Sequence, residues 1–158
     1  MQRITPFLWF DDNAEEAVNL YVSTFKNSKI NSVSRYGDAG PGELGKVMTI
    51  NFELEGLTLT ALNGGPHFKF TEAISLEVAC ASQDEVDELW DKLTADGGEP
   101  SQCGWLKDKF GLSWQIVPTA MMEYIQGPDS AGAQRAMAAM LKMNKLDLAV
   151  LRQAYEQE

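Results

Sequence analysis

Cysteine and histidine are scarce in this chain. Only Cys80, Cys103 and His67 occur among 158 residues. Two thiols cannot build a disulfide framework or a cysteine-based zinc site, so reduced thiols and a cytoplasmic location are the default. Basic residues are also few. Thirteen Lys and Arg stand against 23 Asp and Glu, for a net charge of −10. Nucleic acid and anionic membrane surfaces both need a basic face, and neither is expected as a partner. No stretch approaches the roughly 18 consecutive apolar residues of a membrane helix. Met1-Gln2-Arg3 leads straight into a short apolar run, without the pattern of a secretory leader.

What is present suffices for a core. The hydrophobic fraction is 44%, and the length suits one domain or two small fused modules. Residues 4–10 (ITPFLWF) read as a buried strand with Pro6 near its start. Asn13 follows as a helix N-cap, with Glu16 placed to close a capping box. Ala14, Ala17, Val18, Tyr21, Val22 and Phe25 then fall on one helical stripe. Residues 30–36 read as a second strand, and the glycine-rich stretch 37–45 as a mobile hairpin loop. Residues 46–54 and 57–62 alternate as strands around Glu55-Gly56, a two-residue hairpin turn.

After the breakers Gly64, Gly65 and Pro66 the same order begins again. Residues 74–80 form a strand. Ser82 and Glu85 make a second capping box, and Val86, Leu89, Trp90 and Leu93 a second stripe. Residues 99–107 hold one or two short strands, and 112–117 the last strand before Pro118. Asn13 and Ser82, Glu16 and Glu85, Ala17 and Val86, Leu20 and Leu89, and Tyr21 and Trp90 share one offset of 69 residues. The fold class is therefore α+β: two tandem βαβββ modules of curved mixed sheet (1–66 and 67–118) and a helical tail (119–158) within one globular unit. The tail carries Met121, Met122, Met137, Met140 and Met143. It is expected to pack on its own domain or on a twin subunit.

Four segments carry a family resemblance: ITPFLWFDDNAEEAVNLY, LNGGPHFKF, CGWLKDKFGLSWQIVP and AMLKMNKLD. With the tandem modules, they resemble the vicinal oxygen chelate superfamily of glyoxalase I, bleomycin-resistance proteins and extradiol dioxygenases. Within it, the chain is similar to the PhnB-like branch, often labelled 3-demethylubiquinone-9 3-methyltransferase. The resemblance implies paired sheets around a cavity, a small-molecule ligand and a homodimer.

It also implies where a divalent ion would bind: on the first and fourth strands of each module, through His, Glu or Gln. Here those strands offer Asn63, Glu77, Cys80 and Gln115, where Gln115 matches the last-strand glutamate of glyoxalase I. Neutral amides are poor ligands for a hard cation without charged partners, so no metal is expected, and no cofactor. His67 is the candidate catalytic base. Asn63 and Gln115 are candidate polar contacts, and Trp9 (or Phe7), Phe68, Phe70 and Trp105 candidate aromatic lining. Neither cysteine has a basic neighbour in sequence to activate it, so both are expected to be inert, with Cys103 the better reactive candidate.

Three functions compete. The first is metal-independent small-molecule binding of the glyoxalase/bleomycin-resistance type. The second is a lyase or isomerase using His67. The third is methyl transfer from SAM, which the sequence disfavours. A Rossmann-type site needs a strand, a glycine-rich turn and a helix in succession, whereas glycine-rich 37–45 lies between two strands. A purely structural role would require the aromatics to fill the cavity.

Overall fold

The computed structural model describes residues 1–157. Contacts divide the chain into two compact units, Met1–Phe70 and Thr71–Glu158. The first contains β1 (Phe7–Phe10), α1 (Ala14–Thr24), β2 (Ser28–Arg35), β3 (Val47–Leu54) and β4 (Leu57–Asn63). The second contains β5 (Ser75–Cys80), α2 (Gln83–Thr94), β6 (Glu99–Pro100), β7 (Trp105–Lys107) and β8 (Ser113–Pro118). It ends in α3 (Met122–Ile125), α4 (Ser130–Met140) and α5 (Leu148–Glu156). The sheets have the same topology, β1-β4-β3-β2 and β5-β8-β7-β6. In each, the first strand runs parallel to the fourth and the remaining pairs are antiparallel. The 69-residue offset thus marks a repeat of structure as well as of sequence.

Alternation decides which sheet face each side chain joins. In the first unit Leu8, Phe10, Ile50, Phe52, Leu54, Leu59 and Ala61 are buried, as are Ala14, Ala17, Val18 and Tyr21 of α1. Tyr21 stacks on Phe52 with ring centroids 6.5 Å apart. In the second unit Val86, Leu89, Trp90 and Leu93 of α2 are buried, together with Leu106, Trp114 and Ile116 of the sheet. Burying each such side chain is worth about 1.5–3 kcal/mol. The Glu55-Gly56 turn has φ of 48° and 88°, the left-handed pair that a type I′ hairpin demands.

Three sequence expectations need correction. Asn13 stands at the N-cap of α1 but makes no side-chain cap bond. Its φ of −111° and ψ of 24° depart from the extended backbone an N-cap usually adopts. Asn63, from the end of β4, supplies the oxygen instead: Ala14 N donates to Asn63 Oδ1 at 2.9 Å. The second box does form, with Glu85 N donating to Ser82 Oγ at 3.2 Å and Ala81 N to Glu85 Oε2 at 2.8 Å. The unit boundary also falls at Phe70 rather than at Pro66. Phe68 packs edge-on against Trp9, and Phe70 against Phe10, which holds this segment to the first unit. Finally, loop 37–45 is wrapped around a buried side chain. Tyr36 is 7% exposed, and a Cβ at Gly42 would overlap its ring.

The helical tail packs within its own unit. Met121, Leu146 and Leu151 form a cluster joined by Val117, Tyr124, Met140 and Met143. Cys103 N donates to Met143 O and Gly104 N to Asn144 O, both at 2.8 Å. The Gln83 amide bonds Leu146 O at 2.9 Å and accepts from Leu148 N at 2.8 Å. β6 has only two residues where β2 has eight. Tail backbone therefore satisfies the segment just before β7.

Candidate functional site

The predicted residues of the first unit gather around the 63–67 loop. Gly64 N donates to Phe10 O at 2.9 Å and Gly65 N to Asp11 O at 3.1 Å, extending the parallel pairing beyond β1. Trp9 Nε1 donates to Gly65 O at 2.9 Å. A Cβ at Gly64 would overlap the indole, so only glycine lets this backbone lie on the ring. Trp9 is thereby a clamp for the loop, with Phe68 against its edge. Asn63 is committed at both ends of its amide: besides capping α1, its Nδ2 donates to Val47 O at 3.1 Å. The backbone carbonyl of Asn63 accepts from Tyr36 OH at 2.5 Å. Phe70 packs on Phe10, a core residue that is 3% exposed.

Beside this loop lies a cleft of about 570 Å³. Asp11, Asp12, Glu43, Tyr36, Asn63 and His67 are among its lining residues. His67 is exposed there. The sequence reading missed this clustering of carboxylates, because Asp11-Asp12 and Glu43 come together only through packing of the 37–45 loop.

In the second unit, Trp105 and Gln115 are register partners across β7 and β8. Gln115 in turn pairs with Glu77 on β5. Trp105, Gln115 and Glu77 therefore make one row across the sheet face that points away from α2. The neighbouring row is Glu99, Lys107, Ser113 and Ser75. Gln115 Nε2 donates to Ser75 Oγ at 2.9 Å, leaving the amide oxygen as an acceptor. Lys107 is ion-paired with Glu72, which raises the Lys107 pKa and lowers that of Glu72. Ser113 is 1% exposed and its Oγ has no hydrogen-bond partner among the described residues. Ser75 and Ser113 were not singled out by sequence. Their i, i+2 spacing from Glu77 and Gln115 was the available signal.

The turn joining β7 to β8 is built on Asp108, which is 2% exposed. Its carboxylate accepts from Phe110 N at 2.9 Å, Leu112 N at 3.1 Å and Trp114 Nε1 at 2.9 Å. This buried acid holds β8, and with it Gln115, in place.

Asn63 and Gln115 are neutral amides, poor ligands for a hard divalent ion without charged partners. Among the described residues no three His, Cys, Asp or Glu side chains cluster as metal ligands do. The Asn63 amide is spent on α1 and β3. Cys80 is fully buried. Desolvation first, and the nearby Glu85 carboxylate second, push its thiol up to about 12, far from the thiolate that a metal or an electrophile requires. Cys103 is half-buried, with Sγ 3.5 Å from Met140 O. No described helix is long and apolar enough to cross a membrane.

Residues 2–117 match the family described as 3-demethylubiquinone-9 3-methyltransferase. The AMLKMNKLD segment of the tail lies beyond that match. A solved protein from Bacillus cereus, described as a putative 3-demethylubiquinone-9 3-methyltransferase and PhnB protein, is 38% identical with a TM-score of 0.68. The alignment covers 75% of this chain and all of that one. Protein PA1353 from Pseudomonas aeruginosa shares the fold at 21% identity and a TM-score of 0.60, covering 73% of this chain and 96% of its own. No curated protein matches the chain. The chain belongs to the 3-demethylubiquinone-9 3-methyltransferase-like (PhnB) family.

Proposed function

We propose that this is a small-molecule-binding protein of the glyoxalase/bleomycin-resistance type that works without a metal ion, as a cytoplasmic homodimer. The supporting observation is the face of the second sheet opposite α2. A face that served only as packing surface would be apolar. This one carries Trp105, Gln115, Glu77 and Ser75, and a buried serine hydroxyl without a partner. A few placed polar groups beside an aromatic ring are the usual makings of a ligand site. Methyl transfer from SAM has no support in the backbone. The glycine-rich 37–45 loop joins antiparallel β2 and β3, and the β1–α1 connection, Asp11-Asp12-Asn13, contains no glycine.

A second reading, a lyase or isomerase with His67 as base, is favoured by the place of that imidazole in the acidic cleft of the first unit. The test is a thermal-shift ligand screen, with SAM included, after metal analysis of the purified protein. Stabilising ligands without bound metal are expected, and SAM is expected to leave the melting temperature unchanged. A stoichiometric divalent ion would overturn metal independence. If a stabilising ligand is turned over and His67→Ala abolishes turnover, the enzymatic reading replaces the binding one.

A further inference from the structure

We infer that the site on the second sheet selects a planar organic cation with N–H donors, of the aryl amidinium or guanidinium class. This rests on the reading of that face as the ligand site.

The row Trp105–Gln115–Glu77 offers one flat ring, an amide oxygen and, at its end, a carboxylate. The Gln115 amide is oriented by its bond to Ser75, which uses one of its two N–H groups and leaves the carbonyl oxygen available as an acceptor. Glu77 is exposed and adds a carboxylate. In the adjacent row the one cation, Lys107, is neutralised by Glu72, and Glu99 is its register partner on the other side. A ligand carboxylate or phosphate would meet acceptors and negative charge. A cationic N–H group meets partners at each step.

Spacing narrows the class. Neighbouring strands lie about 4.8 Å apart, so the carboxylate is roughly 10 Å from the indole strand, with the amide oxygen midway. An aryl group over Trp105 that carries an amidinium directs the cation from the indole toward Gln115 and Glu77. The ring gains cation–π attraction from the indole, and the two N–H groups find Gln115 Oε1 and the Glu77 carboxylate as charge-assisted acceptors. The unpartnered Ser113 hydroxyl belongs to the next row, one side chain from Lys107 and Ser75.

Benzamidine, benzamide and benzoate share one shape and carry charges of opposite or no sign, which makes them the probes. Each is titrated into the full chain while the Gln115 side-chain amide and the Trp105 indole N–H are followed by NMR. Benzamidine is expected to shift both signals and to bind about tenfold or more tighter than benzamide, with benzoate weakest. Glu77→Gln, an exposed conservative change, is expected to lower benzamidine to about the affinity of benzamide. Equal affinities for benzamidine and benzamide, with the same two signals moving, would overturn the cation preference and leave the site standing. Silence at both signals with all three probes would overturn the site itself.

Discussion

Replacing Asn63 by alanine tests how α1 is capped. The side chain accepts from Ala14 N at 2.9 Å and donates to Val47 O at 3.1 Å. Alanine leaves the first amide of α1 and a β3 carbonyl without their partners. Each lost, partly buried hydrogen bond costs about 1–1.5 kcal/mol, so the pair sums to about 2–3 kcal/mol. With a urea m-value of about 2–3 kcal/mol per molar, the midpoint falls by about 1 M. Asn13→Ala is the control. Asn13 occupies the N-cap position but makes no side-chain cap bond, and its loss is expected to cost no more than about 0.5 kcal/mol. Urea unfolding followed by circular dichroism measures both, and hydrogen exchange at the Ala14 amide localises the effect. Protection there should fall in Asn63→Ala and persist in Asn13→Ala. Equal losses in the two variants, or a larger one for Asn13→Ala, would refute capping from β4 and restore the local capping box.

Leu146→Ala should destabilise the second unit by about 2–5 kcal/mol, since Leu146 is fully buried and packs over Gly104; a midpoint shift in urea below that range would mean that the tail is only loosely attached. Cys80 makes a pH prediction. Its thiol is raised in the fold to about 12 from about 9, so the unfolded chain ionises first and its contribution to stability, complete below pH 9, is lost as pH rises toward 12. The melting temperature of the parent should fall more steeply between pH 8 and pH 10.5 than that of Cys80→Ala; parallel curves would exclude the effect.

Much of the architecture was legible because it rests on local periodicity. The stripe Ala14, Ala17, Val18, Tyr21 and its counterpart Val86, Leu89, Trp90, Leu93 are buried in the structure as their spacing requires. The I′ turn at Glu55-Gly56 and the capping box at Ser82 are also short-range, and both form. The membership of the site was less legible. Trp9, Asn63, His67 and Phe68 do meet, yet Trp9 and Asn63 hold the loop in place. Asp108 reads in sequence as one more charge in the LKDKFG turn; only the fold buries it beneath three donors.

The sequence by itself determined two βαβββ modules, their helical faces, and a neutral amide at Gln115. These depend on residue identity and on spacings within a turn or a strand. Tertiary structure decided which residue caps α1, that loop 63–67 is clamped by Trp9, and that Trp105, Gln115 and Glu77 share a row. The reason is distance along the chain. Asn63 lies 49 residues from Ala14, and no local pattern records which strand will arrive beside a helix end.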